Sequence, residues 1–425
     1  MNFEKSLEKY LSKDEIANLV ASFSETDKKA IYLNTNKLNS EKLFNFFPNL
    51  KAHPVVPNGF IYDKNEYELG KKIYHELGAY YIQEPSAMLV AHFLDAKPGD
   101  VVLDLCAAPG GKTIQTALKM QNQGLIIAND LSKSRANILL SNIERMGISN
   151  TVVTSLDFKN YYQKFPGFFD KIILDAPCSG SGMFRKSDEM KSDWTYEKVL
   201  KNSSIQKELI LMCYSMLKEG GKLVYSTCSY SFEEDEEVIE HLLKNSDAKL
   251  ENIPSFEGEF RSPKFNETVH LFPSHFEGEG HYIALIKKPG VLQSSKLSQI
   301  EINRTIQGKG NAKEIQKFLC PTKLPANLEN LALRPGLLLS TQIKDKIIPS
   351  HHYSHVQNGS SSIEITKEEV VKYLKGETLN KKCPNGYLFV SYLGMNLGVV
   401  YSLNGVLKNY YPKGLRLSAS VDSSF

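Results

Sequence analysis

Short apolar runs alternate with amphipathic helical stretches from Val101 to Lys288, and this alternation predicts an α/β protein built on a doubly wound, mainly parallel sheet. Two further observations frame it. The first seventy or so residues begin with helical periodicity and then become short and mixed, as in a small α+β unit, and the last hundred end in a β-rich pattern. With 425 residues, 41% of them hydrophobic, the chain is long enough to fold as several domains with real cores.

At the N-terminus, Leu7, Tyr10 and Leu11, then Ile16, Leu19, Val20 and Phe23, fall on helix faces, and the first domain is set at residues 1–75. The segment from Gly78 to Met88 enters a helix running through Phe93, with Pro85 at the helix start, where its missing N–H is harmless. The central domain, 76–290, reads as strand Val101 to Leu105, a helix from Lys112, strand Leu125 to Asn129, a helix from Ser132 to Met146 and strand Thr151 to Ser155. It continues with strand Lys171 to Asp175, a helix near Val199 to Leu217, strand Lys222 to Thr227 and a helix after Glu234. Thr268 to Phe272 and His281 to Lys287 are joined too closely for a crossover helix, so they form a final antiparallel pair. The polar stretch 291–311, rich in Ser and Gln, reads as a linker, and 312–425 as a C-terminal domain with paired strands around Gly394.

Composition narrows the function. No basic segment followed by an apolar run opens the chain, and no stretch reaches the roughly 18 apolar residues of a membrane helix, so a cytoplasmic protein without a membrane partner is expected. Six cysteines without CxxC pairing suggest free thiols rather than disulfides or a metal site. From Val291 onward there are 17 basic and 9 acidic residues, a net +8 against −5 for the rest. A basic tail on a slightly acidic body suits a phosphate-rich polymer, although an ordinary solvated surface gives the same count. His351, His352 and His355 have no Cys or acidic partner nearby and read as surface or core histidines, and Lys309, Lys313 and Lys317, at helix spacing, as a solvated face.

The chemistry-bearing segments lie in the central domain. Asp104-Leu105-Cys106-Ala107-Ala108-Pro109-Gly110-Gly111-Lys112 passes from a strand into a loop and then a helix, where backbone can approach a ligand closely. Cys106 occupies the position of the first P-loop glycine, which disfavours ATP or GTP, and a G-x-G-x-x-G fingerprint is missing, which disfavours nicotinamide. The remaining common occupant is S-adenosylmethionine, with Asp130 placed for the ribose hydroxyls and Asp157 for the adenine amine. Cys178, in Asp175-Ala176-Pro177-Cys178-Ser179-Gly180-Ser181-Gly182, and Cys228, in Ser226-Thr227-Cys228-Ser229, both follow strands expected to be neighbours. Two thiols at adjacent strand ends should therefore face one pocket, as nucleophilic catalysis requires.

These segments, with Tyr81-Ile82-Gln83-Glu84-Pro85-Ser86-Ala87-Met88 and Leu271 to Tyr282, make residues 30 to 290 resemble the Sun-type family of RNA (cytosine-5) methyltransferases, in its bacterial RsmF-like ribosomal RNA branch. The resemblance implies a class I methyltransferase, a Rossmann-like doubly wound sheet, and assigns Cys228 as nucleophile, with Cys178 assisting release. It places Cys106, Ala107, Ala108, Pro109, Gly110, Gly111, Lys112, Asp130, Arg135, Asp157 and Asp175 at the cofactor or lining its pocket. Leu407 to Arg416 is similar to that branch's tail, which implies a PUA-like RNA-binding module, and residues 1–75 are expected to bind RNA too. After Arg185-Lys186 the chain has Ser187 where the branch often has Asp.

Cytosine C5 is a poor nucleophile, and addition of a Cys228 thiolate to C6 makes it enamine-like. Asp175, if protonated or acting through a partner, would stabilise the charge at N3, and Cys178 or a water it positions would remove the C5 proton. The expected reaction is methylation of RNA, 16S ribosomal RNA foremost, by a monomer. Transfer RNA as substrate, reversed thiol roles and a non-catalytic ribosome-assembly factor stay open.

Overall fold

The computed structural model describes residues 1–417 apart from 27, 161, 187, 294, 308–312 and 358–361. Ser187 and Lys309, singled out above, lie outside the described residues. A nine-stranded sheet forms the centre, in the order Phe260–Arg261, Val269–His270, Tyr282–Lys287, Leu217–Thr227, Phe169–Asp175, Val101–Asp104, Leu125–Asn129 and Thr151–Thr154, with Lys249–Glu251 also pairing with Tyr282–Lys287. The five strands from Leu217–Thr227 to Thr151–Thr154 are parallel. Tyr282–Lys287 runs antiparallel to Leu217–Thr227 and to Val269–His270, as the short connection predicts.

Val101–Asp104 is buried along its whole length, as is Leu125–Asn129, because helices cover both faces of a parallel sheet. One apolar cluster, containing Leu89, Val102, Ile114 and Ile143, lies on one face, and another, containing Leu103, Ile172, Ile210 and Val238, on the other. The chain winds outward from Val101–Asp104 to Thr151–Thr154, then crosses back to Phe169–Asp175. The switch point therefore lies between Val101–Asp104 and Phe169–Asp175, where open sheets of this kind bind ligands.

Two boundaries differ from the sequence reading. Tyr80–Gln83 is the fourth strand of the N-terminal sheet, pairing antiparallel with Lys29–Leu33, so that unit extends past residue 75 up to the helix Pro85–Leu94. Ile300–Gln307, expected in a linker, is a strand paired along its length with Lys313–Cys320. Its side chains alternate between half-buried and exposed, a polar pattern without the apolar run that would have marked a strand. Lys313 and Lys317 accordingly lie on a strand, not a helix. The C-terminal part comprises two sheets, one of four strands from Ile300 to Pro349 and one of five from Ser362 to Asn409. Met395–Leu403 pairs with Gly386–Tyr392 around Gly394 as expected.

The connection leading into Leu337–Ile343 touches the central sheet through a backbone bridge, Val153 to Arg334, at 2.8 and 3.1 Å. The five-stranded sheet shares one apolar cluster with the N-terminal sheet: Ile31, Leu33, Phe60 and Tyr80 pack with Val370, Tyr373, Leu374 and Leu397.

Candidate active site

At the switch point the loop after Val101–Asp104 is fastened from behind. Ala107 N–H donates to Asn129 O at 2.7 Å, Arg135 Nη2 to Ala108 O at 2.8 Å and Asn142 Nδ2 to Pro109 O at 2.9 Å. Gly110, at φ 119° in the left-handed region, turns the chain into the helix Gly111–Lys119, whose N-terminus has no side-chain cap and leaves its first N–H groups for a ligand. Asp130 is buried, accepts from Ser132 N–H at 3.0 Å and has an oxygen 3.4 Å from Arg135. Asp157 is exposed, and its oxygens accept from Lys159 N–H and Asn160 in its own turn.

Two acceptors lie buried around this loop without a partner: Gln83 Oε1 and Asp104 Oδ1. Burial pushes the Asp104 carboxyl up to about 7, although its other oxygen accepts from Thr113 at 2.6 Å. Unfilled acceptors, uncapped N–H groups and a buried carboxylate fit S-adenosylmethionine, which offers an ammonium, a carboxylate and a ribose diol.

Across the switch point the two cysteines meet. Parallel pairing sets Asp175 beside Ser226, and just beyond it Cys178 Sγ and Cys228 Sγ lie 3.0 Å apart. The loops are stitched by Gly182 N–H to Cys228 O at 2.8 Å and Tyr230 N–H to Ser181 Oγ at 2.9 Å. A Cβ at Gly182 would lie 2.9 Å from Cys228 O and 3.0 Å from Gly280 O, so only glycine lets three backbones converge there. Contact with the neighbouring sulfur, then burial, holds the Cys178 thiol well above its ordinary range. Burial does the same to Cys106, which removes it as a nucleophile, and Cys213 is buried in the core.

Of the two readings for Asp175, a protonated acid or a carboxylate acting through a partner, its surroundings favour the second. Burial raises its pKa, but Lys112 at 2.8 Å, His281, and a hydrogen bond from Ser226 at 2.7 Å outweigh burial and hold the carboxyl below its ordinary value. Burial lowers Lys112, and Asp175 more than compensates, so the ammonium keeps its charge. The pair is an ion pair, and the proton donor on it is Lys112.

Three groups escaped the sequence reading. Glu84 caps the helix Pro85–Leu94 through Ser86 and Ala87 N–H and accepts from Glu279 N–H at 2.8 Å. Ser86 Oγ lies 3.0 Å from His281 Nδ1, and His281 Nε2 lies 4.0 Å from Asp175. Burial, then the Lys112 charge, pulls His281 down to about 4, so it is neutral at pH 7. Both Glu84 and His281 stand inside quoted motifs, but 195 residues separate Ser86 from His281 and no spacing rule joins them. The third is Glu234, read from sequence only as a helix start.

Comparison with known proteins agrees with this geometry. Residues 91–287 match the family model of the 16S rRNA methyltransferase RsmB/F, residues 1–85 that of the N-terminal domain of 16S rRNA methyltransferase RsmF, and residues 360–417 that of the methyltransferase RsmF PUA domain. A ribosomal RNA small subunit methyltransferase F of Shewanella piezotolerans is 31% identical over 94% of this chain and 93% of its own length. A tRNA (cytosine(49)-C(5))-methyltransferase of Pyrococcus abyssi is 37% identical over 67% of this chain and 96% of its own. Among solved structures, a methyltransferase homolog protein from Pyrococcus horikoshii superimposes with a TM-score of 0.60 at 29% identity, covering 67% of this chain and 93% of that one.

Proposed function

The chain belongs to the RsmF family of S-adenosylmethionine-dependent RNA (cytosine-5) methyltransferases, and from that premise we propose that it methylates cytosine in 16S ribosomal RNA through a covalent adduct with Cys228. The carrying observation is the pair of sulfurs 3.0 Å apart beside the Lys112–Asp175 ion pair. Ribosomal RNA is preferred because the relatives named for it match the N-terminal and PUA-type regions as well as the catalytic one. The protein is read as a monomer acting in the cytoplasm, where ribosomal subunits are assembled.

Cys106 to Lys112, Asp130 and Arg135 would hold S-adenosylmethionine, which would supply the methyl group. The Cys228 thiolate adds to C6 of a base taken out of its stack, and the C5–C6 π pair moves toward N3. Lys112, kept charged by Asp175, stands as the proton-bearing partner for that developing charge. C5, made enamine-like by Cys228, would take the methyl group, the bonding pair staying with the cofactor. Cys178, relieved of the negative sulfur beside it once Cys228 has become a thioether, gives its proton to water. Its thiolate then takes the C5 proton, the C–H pair rebuilds the C5–C6 double bond, and Cys228 leaves as thiolate. Ser226, donating to Asp175, keeps the carboxylate in place, and His281, neutral and held by Ser86, adds no competing charge beside it.

The test is expression of Cys178→Ala in cells, followed by denaturing isolation and sequencing of attached RNA. A 16S adduct lost in Cys178→Ala/Cys228→Ala is expected. Adduct formation surviving Cys228→Ala but not Cys178→Ala reverses the roles, and attached transfer RNA moves the substrate.

A further inference from the structure

One buried carboxylate touches both cysteine loops. Glu234 accepts from Ser179 N–H at 2.8 Å, Ser179 Oγ at 2.5 Å, Ser229 Oγ at 2.6 Å and Gln206 Nε2 at 3.2 Å. Ser179 follows Cys178 and Ser229 follows Cys228, so one side chain grips the residue next to each thiol. Gln206, on the helix Tyr196–Met216, also donates to Pro177 O at 2.8 Å. The residues on both sides of Cys178 are thereby fixed to a single glutamate–glutamine unit. A buried carboxylate is costly unless its oxygens are filled, and here every donor comes from the two loops or the helix behind them.

This placement also separates the two sulfurs chemically. The Ser179 N–H is the backbone donor following Cys178, and donors aimed at a sulfur favour its thiolate. Glu234 engages that donor; burial raises its carboxyl, the hydrogen bonds from Ser179, Ser229 and Gln206 oppose that rise, and the ionised form they favour adds to the forces keeping Cys178 protonated.

We propose that Glu234 is the positioning residue of the thiol pair: by gripping the residue after each cysteine it sets Cys178 and Cys228 at their spacing, and it favours the proton on Cys178 until Cys228 has added to the base. The proposal rests on the covalent reading above and gives its asymmetry a cause. Without the charge of Glu234 one of the forces holding the proton on Cys178 is gone, and the bonds to Ser179 and Ser229 that fix both cysteine loops are weakened.

The test uses the full-length protein and Glu234→Gln, which keeps the shape and removes the charge. Iodoacetamide labelling of each cysteine across pH, read by peptide mass spectrometry, gives the order of reactivity. In the wild type Cys178 is expected to lag Cys228 by about tenfold or more. In Glu234→Gln the lag shrinks to about threefold or less, and kcat falls by about tenfold to a hundredfold with KM for S-adenosylmethionine within about twofold. Glu234→Asp, which keeps the charge on a shorter arm, restores the lag but not the full kcat. A Glu234→Gln enzyme with the wild-type lag and kcat overturns the proposal. Should Glu234→Gln fail to fold, Glu234→Asp decides alone: it is expected to keep the lag and lower kcat, and a lost lag or a wild-type kcat overturns the proposal. Failure of the covalent reading looks different, with no RNA adduct in Cys178→Ala whatever stands at position 234.

Discussion

Two enclosed lysines, one at the catalytic edge and one at the junction of the terminal domains, meet opposite fates. Lys112 faces the Asp175 carboxylate at 2.8 Å and keeps its charge. Lys37 faces Leu77 O at 2.6 Å, Arg145 O at 3.3 Å and His355 Nδ1 at 3.1 Å, and burial with the Arg145 charge nearby pulls it down to about 7. Around it, burial drives His351 to about 4, His352 to about 3 and His355 well below its ordinary value. The difference is an anion: where chemistry needs a charge the fold supplies a carboxylate, and where domains only need to pack it lets the cations discharge.

Lys112→Met tests this contrast most severely. It leaves Asp175 enclosed without its cation, and a loss of about 3 to 5 kcal/mol in unfolding free energy is expected by denaturant titration. Methyl transfer should fall by about 10² to 10³ in kcat, measured with labelled S-adenosylmethionine. Lys37→Met, equally isosteric, removes a group already half discharged at neutral pH and should cost about 1 to 2 kcal/mol for its lost hydrogen bonds, with kcat little changed. Equal losses for the two variants would break the comparison.

The pH dependence sharpens it. Between pH 7 and about 10.5 the unfolded chain holds a proton on Lys37 that the folded one has released, so this group adds stability as pH rises; Lys37→Met should lose that alkaline gain. The histidines act at the other end. Between pH 6.5 and 4 the unfolded chain binds protons that His351, His352 and His281 refuse in the fold, so the melting temperature should fall as pH drops through this window. His352→Gln should flatten that fall slightly. As the smallest effect, Lys71→Ala, which breaks an exposed pair with Glu68, should leave both melting temperature and activity unchanged.

Legibility in the sequence followed the range of the contacts. The parallel strands were readable because burial on both faces writes an unbroken apolar run, as in Leu125–Asn129. The thiols were readable because Cys178 and Cys228 each close a strand and the strands are neighbours. For Asp175 the sequence left two states open, protonated or acting through a partner, because the choice depends on Lys112 arriving at the start of another helix. Ile300–Gln307 was lost among polar residues, and Tyr80–Gln83 was absorbed into the helix that follows it. Lys37 and His355 lie 318 residues apart, and only folding reveals that the histidines dismissed as ordinary form a junction.

The cluster joining Ile31, Phe60 and Tyr80 to Val370, Tyr373 and Leu397 has a consequence for synthesis. The first strands to leave the ribosome belong to a core whose other half is translated nearly three hundred residues later. At the usual elongation rates that is a wait of about 15 to 60 s, far longer than small domains need to fold. During that interval Leu43, Phe47 and Leu77 of the N-terminal unit cover part of that flank, while the part that meets Val370, Tyr373 and Leu397 waits for its partner, and a chaperone or the ribosome surface is its natural cover. A transcript truncated before residue 360 should therefore yield a protein that is made but does not stay in solution.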